Sequence, residues 1–222
     1  IMDFCRNYGV SLDEKKFVVL GQGVFVEQIS NGNGKRFRDK YNINDPIVFQ
    51  MGSKNYEKGS FNLVESMKKI WDAGVVCHLV FGGQCNPDFS KYINELDKKY
   101  KKNILNIDNI SDEEKFDIFD ACDIFSMVSK TDSFGIVYLE AWTYGKPILA
   151  CQNEALEEII ANGEDGFLFD FNDIDGIAKT IVDLLGDRHR RKEIGSNGKK
   201  KVLESYNWGK NLKKLDDIYK NI

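Results

Sequence analysis

No apolar run in this 222-residue sequence is long enough to cross a membrane. Val75 to Phe81, among the longest, is already broken by His78, so the sequence predicts a soluble protein. The opening IMDFCRNYGV shows no basic region followed by an apolar core, so no secretory signal is expected there. A basic field is missing too: 31 Lys and Arg against 35 Asp and Glu leave a net charge of −4, which argues against nucleic acid as a partner. The five cysteines, Cys5, Cys77, Cys85, Cys122 and Cys151, include no CxxC pair and are odd in number. They read as reduced thiols of a cytoplasmic protein, not as a disulfide framework or a zinc site. Two histidines are present, His78 in an apolar run and His189 in a charged one, and no Ser or Cys constellation makes either a catalytic base.

What is there is regular from residue 47 onward. The 42% apolar content is ample for a core, in one α/β domain or two small ones. Strand-length apolar runs occur at Ile47 to Met51, Val75 to Phe81, Ile104 to Ile107, Ile124 to Val128, Pro147 to Cys151 and Gly166 to Phe169. Between them apolar residues recur at helical spacing: Phe61, Val64, Met67 and Ile70 with Trp71, Ile93 with Leu96, Phe116 with Phe119, and Ile177 with Ile181, Leu184 and Leu185. Such alternation predicts an α/β fold, a Rossmann-like parallel sheet flanked by helices on both faces, with ligands at the carboxyl ends of the strands.

The stretch IFSMVSKTDSFGIVYLEAWTYGKPILAC, Ile124 to Cys151, reads as strand, loop, helix and strand, with the helix from about Gly135 to a C-cap at Gly145 before Pro147. Within it Glu140 shares a face with Ile136, Val137 and Tyr144, so a carboxylate is set in an apolar stripe and needs donors. A ribose diol would supply them; a solvated acid or a structural ion pair is the alternative. The amides around Phe134, Gly135 and Ile136 open the helix and form an anion site, where Gly135 admits a ligand close to the backbone. Diol acceptor and phosphate cradle on one helix point to a nucleotide.

DSFGIVYLE, ending in Glu140 and followed by AWTYGKPILA, resembles the Glu-x7-Glu signature of the retaining glycosyltransferases of family 4, which have the GT-B fold. The resemblance covers nearly all of residues 17 to 222 and implies that the chain is the C-terminal, donor-binding half. It implies that Glu140 binds the donor ribose. Asp132 stands where the family has its first Glu, one methylene shorter, and would contact the donor sugar beside Ser133. An N-cap is the other reading of Asp132.

After the first strand comes GSKNYEKGS. Its Lys58-Gly59 pair matches the family's pyrophosphate contact, although a surface lysine at a helix start is the bland alternative. Gly52 opens that loop, Ser53 occupies a position where the family commonly has Arg, and Lys54 is the expected substitute. Gly82 and Gly83 either admit a sugar or base plane or simply turn the chain. The loop Asp108 to Asp112 would face the base through backbone groups near Ile110, with Ser111 and Glu114 as a capping box. NEALEEII, Asn153 to Ile160, lacks the glycine pair and Pro-Glu that the family often has there.

Residues 1–46 are expected to be the tail of an otherwise absent N-terminal acceptor domain plus an interdomain linker crossing at Gly21 to Val26, with a strand candidate at Phe17 to Leu20; residues 47–222 are the donor domain. Neither glycine cluster in GQGVFVEQISNGNGKRF fits a P-loop. Asp173-Ile174-Asp175 is a DxD better explained by helix capping. The basic run Arg188 to Lys192, with Lys199 to Lys201, is a solvated helix face or a peripheral contact with an anionic membrane.

The resemblance thus implies a metal-independent hexosyltransferase that uses no cofactor and takes a UDP- or GDP-sugar as donor. Its acceptor, a sugar or a lipid-linked sugar, would be held by the missing domain, in the cytoplasm or at the inner face of the membrane. Lys58, Asp132 and Glu140 are its expected catalytic residues. The alternatives are a non-catalytic nucleotide-sugar-binding module and a GT-B nucleotide-sugar epimerase.

Overall fold

The structure, a computed structural model, describes residues 8, 21–132 and 134–220. Cys5, the strand candidate at Phe17 to Leu20 and Ser133 lie outside them. The described chain runs α1 (Val26–Ile29), α2 (Gly34–Tyr41), β1 (Ile47–Met51), α3 (Ser60–Asp72), β2 (His78–Gly82), α4 (Pro87–Glu95), α5 (Lys98–Lys101), β3 (Ile104–Ile107), α6 (Asp112–Ala121), β4 (Ile124–Met127), α7 (Ile136–Thr143), β5 (Ile148–Cys151), α8 (Glu154–Glu157), β6 (Gly166–Phe169), α9 (Ile174–Gly186), α10 (Arg188–Ser205) and α11 (Trp208–Lys220). The six strands form one parallel sheet in the order β3-β2-β1-β4-β5-β6.

The near-continuous apolar strands follow from burial on both faces. Ile47, Phe49, Phe125, Met127, Ile148 and Ala150 point to one side, into a cluster with Phe119, Tyr138, Leu139 and Trp142 from α6 and α7. Val48, Leu79, Phe81, Ile124 and Leu149 point to the other, against Leu63, Val64, Met67 and Ile70 of α3, Phe89 of α4 and Ile177, Ile181 and Leu184 of α9. Each fully buried large side chain contributes about 1.5–3 kcal/mol.

The second strand begins at His78 instead of Val75 because the end of α3 uses the intervening residues. Gly74 adopts a left-handed conformation, the Val75 amide donates to the Ile70 carbonyl at 3.2 Å, and Trp71 Nε1 donates to the Cys77 carbonyl at 2.9 Å. The glycine-rich lead-in is pinned as well. Val24 donates to the Tyr206 carbonyl and accepts from the Trp208 amide at the junction of α10 and α11. α2 docks on α6 through Arg36, whose Nε and Nη2 donate to the two oxygens of Asp117 at 2.5 and 2.8 Å.

Asp173 caps α9, its Oδ1 accepting from the Gly176 amide at 2.8 Å, which accounts for the DxD. Ser111 caps α6 by accepting from the Glu114 amide at 3.2 Å, while Glu114 itself turns to Lys40 and Tyr41 instead of closing the box. Among the described residues Cys77, Cys85, Cys122 and Cys151 are free thiols, and burial pushes Cys77 up to about 11 and Cys122 to about 12. Among the same residues no helix is long and apolar enough to cross a membrane.

The strand order reverses between β1 and β4. α3 follows β1 onto one face and α7 follows β4 onto the other, and the carboxyl edge at such a switch point is the crevice where sheets of this kind usually hold ligands.

Candidate functional site

Two loops bound the crevice and are stitched to each other. Gly59, with φ of 68°, ends the loop after β1, and a Cβ there would overlap the Val128 carbonyl oxygen at the end of β4, so glycine is what allows the loops to meet. The Lys130 amide and the Ser129 hydroxyl both donate to the Glu57 carbonyl, at 2.8 and 3.3 Å. Lys58 reaches across, its Nζ 3.0 Å from Asp132 Oδ1, with the two side chains 27% and 13% exposed. The other carboxylate oxygen, Oδ2, is buried with no hydrogen-bond partner among the described residues. A buried acceptor left empty costs about 1–3 kcal/mol, more when charged, so Oδ2 has room for one further donor. Asp132 does not cap α7: the N-cap is Gly135, at φ 71°, with no side-chain cap bond.

α7 supplies the second half of the site. Among the described residues nothing accepts the amides of Phe134, Gly135 or Ile136, and these open the positive end of the helix. Ile136 is 48% exposed at that end, and the half-buried Phe134 ring packs edge-on against Tyr206 at 5.8 Å. One turn further, Glu140 is 8% exposed, and its Oε1 accepts from Lys115 Nζ of α6 at 2.9 Å. Burial raises the Glu140 carboxyl above its ordinary value, and the Lys115 ammonium pulls part of that back. Lys115 itself escaped sequence reasoning. Nothing local marks it, since its partner lies 25 residues away and only the packing of α6 on α7 joins them.

Lys54 is a correction. Expected to replace a missing arginine at Ser53, it is wholly buried, its Nζ donating to Asn106 Oδ1 and Asp108 Oδ1 at 2.6 Å each and to the Ile107 carbonyl at 3.3 Å. It ties β1 to β3 and has no surface to offer a diphosphate. Ser53 is exposed beside it.

The glycines form the floor. The Gly52 amide donates to the Gly82 carbonyl and the Gly83 amide to the Ile107 carbonyl, carrying the sheet past its strands. A Cβ on Gly83 would overlap Gly52, and one on Gly82 would lie 3.0 Å from Ile110 Cδ1. These two glycines therefore let loops pack and bring Ile110 over the end of β2. Lys58 and Asp132 thus meet at the carboxyl edge near the α7 amides and Glu140 lies one turn into α7, paired with Lys115, whereas Lys54 turns away and Ser133 is outside the described residues.

The sequence pattern described as Glycosyl transferases group 1 matches residues 33–201. The chain belongs to this family. These group 1 enzymes are the family 4 glycosyltransferases of the sequence resemblance, and the six-stranded sheet is that of the C-terminal half of their GT-B fold. A capsular polysaccharide biosynthesis glycosyltransferase, CapM of Staphylococcus aureus, is 28% identical over 216 residues, 93% of this chain and 56% of that protein. The crystallised C-terminal domain of a group 1 family protein, LpcC of Francisella tularensis, superposes with a TM-score of 0.72 at 24% identity, covering 84% of this chain and 100% of that domain. Alr3699/HepE of Anabaena in complex with UDP-glucose matches with a TM-score of 0.74 at 16% identity, over 90% of this chain and 56% of that one. The group 1 chain described here spans about half the length of the curated relatives it matches.

Proposed function

We propose that this chain is the donor-binding half of a retaining, metal-independent hexosyltransferase that moves a sugar from a UDP- or GDP-sugar to a sugar or lipid-linked acceptor. The observation that carries the reading is the joint placement, at the switch point of the sheet, of Lys58, the unfilled Asp132 Oδ2 and the open amides of α7. In this reading the diphosphate lies against the α7 amides and Lys58, the ribose diol on Glu140, the base beside Ile110 and the donor sugar at Asp132. As the glycosidic bond breaks, negative charge grows on the departing diphosphate. Fixed donors aimed there stabilise that charge without reorganising, which is chemistry that needs no resident cation. UDP-glucose in the Anabaena neighbour supports the donor class.

Within the proposal residues 47–222 form the donor domain, residues 1–46 lead into it, and the acceptor groups belong to a half such as the longer relatives carry. The chain alone then binds nucleotide and transfers no sugar. The work would be done in the cytoplasm, at the inner face of a membrane when the acceptor is lipid-linked. Calorimetric titration with UDP, GDP and ADP tests it: one of them should bind, and Lys58→Ala should weaken the diphosphate more than the nucleoside. Failure of all three to bind would overturn the reading, as would measurable sugar transfer by the chain alone for its division of labour. The burial of Lys54 leaves Lys58 the one cation of its loop facing the crevice, and favours a second reading, a nucleotide-sugar-binding module without catalysis. Turnover after joining an acceptor half separates the two.

A further inference from the structure

The basic run Arg188 to Lys192 opens α10, and helical spacing sorts it into faces. Arg190 turns to Phe167, its guanidinium carbon 5.7 Å from the ring centroid. Arg188, Arg191 and Lys192 join Lys146, from the loop before β5, around a cavity of about 180 Å³ at the amino edge of the sheet. We infer that this cavity binds a phosphate group, carried by a free phosphate ester or by a lipid headgroup, at a site separate from the nucleotide crevice on the carboxyl edge. The inference does not rest on the proposed function.

The fold holds these cations together. Gly195 lets α10 lie directly on the loop before β5, since a Cβ there would overlap the Gly145 carbonyl oxygen. Arg191 Nη1 donates to the Leu184 and Leu185 carbonyls at 2.6 and 3.2 Å, and its Nη2 lies 3.2 Å from Asp123 Oδ1. Lys146 Nζ donates to the Asp120 carbonyl at 2.8 Å. These contacts fix the first turns of α10 beside the residues that lead into β4 and β5. Arg188 and Lys192, one turn apart, are exposed, and their side chains make no hydrogen bond or ion pair with the described residues.

Charge around the cavity is out of balance. Four cations face one carboxylate in the lining, Asp123, and besides Arg191 that carboxylate already serves the Ile47 amide at 3.0 Å and Arg38 Nη2 at 3.3 Å, both through Oδ2. The nearest acids outside the lining are turned to backbone: Asp187 accepts from the Arg190 amide at 2.9 Å and Asp120 from the Gly34 amide at 2.6 Å. Like charges at i and i+4, as at Arg188 and Lys192, repel, and an anion between them removes that cost. The unused groups are all N–H donors: the Arg188 guanidinium, the Lys192 ammonium and the protons of Lys146 left over from Asp120. A phosphate dianion accepts from several of them at once, whereas a carboxylate brings half the charge and fewer oxygens. The volume lies below the roughly 300 Å³ at which small-molecule sites begin, and no aromatic ring lines the cavity for a base to stack on. The phosphate group therefore enters and its carrier stays outside.

Proton–nitrogen NMR of the labelled chain at fixed ionic strength tests the site, with inorganic phosphate and glycerol 3-phosphate as probes and acetate as the control anion. Phosphate should give saturable shifts at the Lys146, Arg188 and Lys192 amides, and acetate should not. The double variant Arg188→Gln with Lys192→Gln, at two exposed side chains, should keep the fold and weaken phosphate about tenfold or more at these amides. Lys58→Ala, in the crevice, should leave that binding unchanged. Sedimentation with phosphatidylcholine vesicles containing phosphatidic acid separates the two sources: vesicle binding that the double variant loses assigns the headgroup, and otherwise the free ester is the occupant. Equal shifts from acetate and phosphate, no saturable shift at these amides, or a folded double variant that binds phosphate as before would overturn the inference whatever the vesicles do. Nucleotide binding, read at Gly135 and Glu140, stands or falls separately.

Discussion

Replacing Lys115 by methionine isolates the electrostatics of the crevice. The substitution keeps an unbranched stem and removes the ammonium 2.9 Å from Glu140 Oε1, where the two side chains are 15% and 11% exposed. Breaking a buried pair from one side typically costs about 3–5 kcal/mol, because a charge is left without compensation. Here protonation limits the loss. At pH 7 neutralising a carboxyl of ordinary value 4.5 costs roughly 3 kcal/mol at 1.36 per unit, and less for Glu140 because burial has already raised it. The expected loss is therefore about 1–3 kcal/mol, read as a lowered urea midpoint. In a Glu140→Gln background the same substitution should cost under about 0.5 kcal/mol, since the partner is gone.

The pH dependence has a definite sign. A carboxyl whose folded value lies above its unfolded 4.5 holds more protons in the folded state between those values, so stability falls as pH rises through that window. Lys115→Met should extend the window upward and Glu140→Gln should abolish it. The ligand side is checked with the nucleoside diphosphate that binds and its 2′,3′-dideoxy analogue. Glu140→Gln should cost the ribonucleotide about 1.5–3 kcal/mol, the worth of hydrogen bonds to a charged group, and leave the dideoxy compound unchanged. Equal losses for both nucleotides would refute the diol contact, and an equal Lys115→Met penalty with or without Glu140 would refute the coupling.

Lys54→Met should destabilise by about 1–3 kcal/mol, the price of stranding acceptors at Asn106 and Asp108, read as a lowered urea midpoint, and leave nucleotide affinity per folded molecule unchanged; a specific loss of affinity would return Lys54 to the site. Gly59→Ala combines a left-handed backbone with overlap at Val128, and should destabilise by at least about 2–3 kcal/mol in chemical denaturation. Gly74→Ala, equally left-handed at φ 82° but with open space around it, should cost only about 1–2 kcal/mol. Similar midpoints for the two would show that overlap contributes nothing at Gly59. Gly198→Ala, whose methyl would run into the Trp142 indole, should lower the thermal midpoint by several degrees and leave nucleotide binding intact below it.

How far residues could be read in advance depends on how far away their partners are. The strands at Ile47, Ile104, Ile124 and Gly166 follow from apolar runs a few residues long, and the face that each side chain takes follows from a period of two. Where an end was misplaced, at Val75 to Cys77, the cause was a helix terminus and one indole bond, which compete with strand pairing over the same few residues. Charged groups obey no such period. Lys54 looked like a loop lysine beside Ser53, and only the sheet, by setting β2 between β1 and β3, brings Asn106 and Asp108 more than fifty positions away within reach of its ammonium. The same reasoning explains Lys115, which owes its place to the packing of α6 on α7, and Asp132, whose first oxygen is claimed from the β1 loop while its second is left empty. An apolar residue is placed by its neighbours in sequence and a charged one by its neighbours in space. The crevice is therefore where local pattern loses its hold, and the Asp132 oxygen without a partner among the described residues lies there.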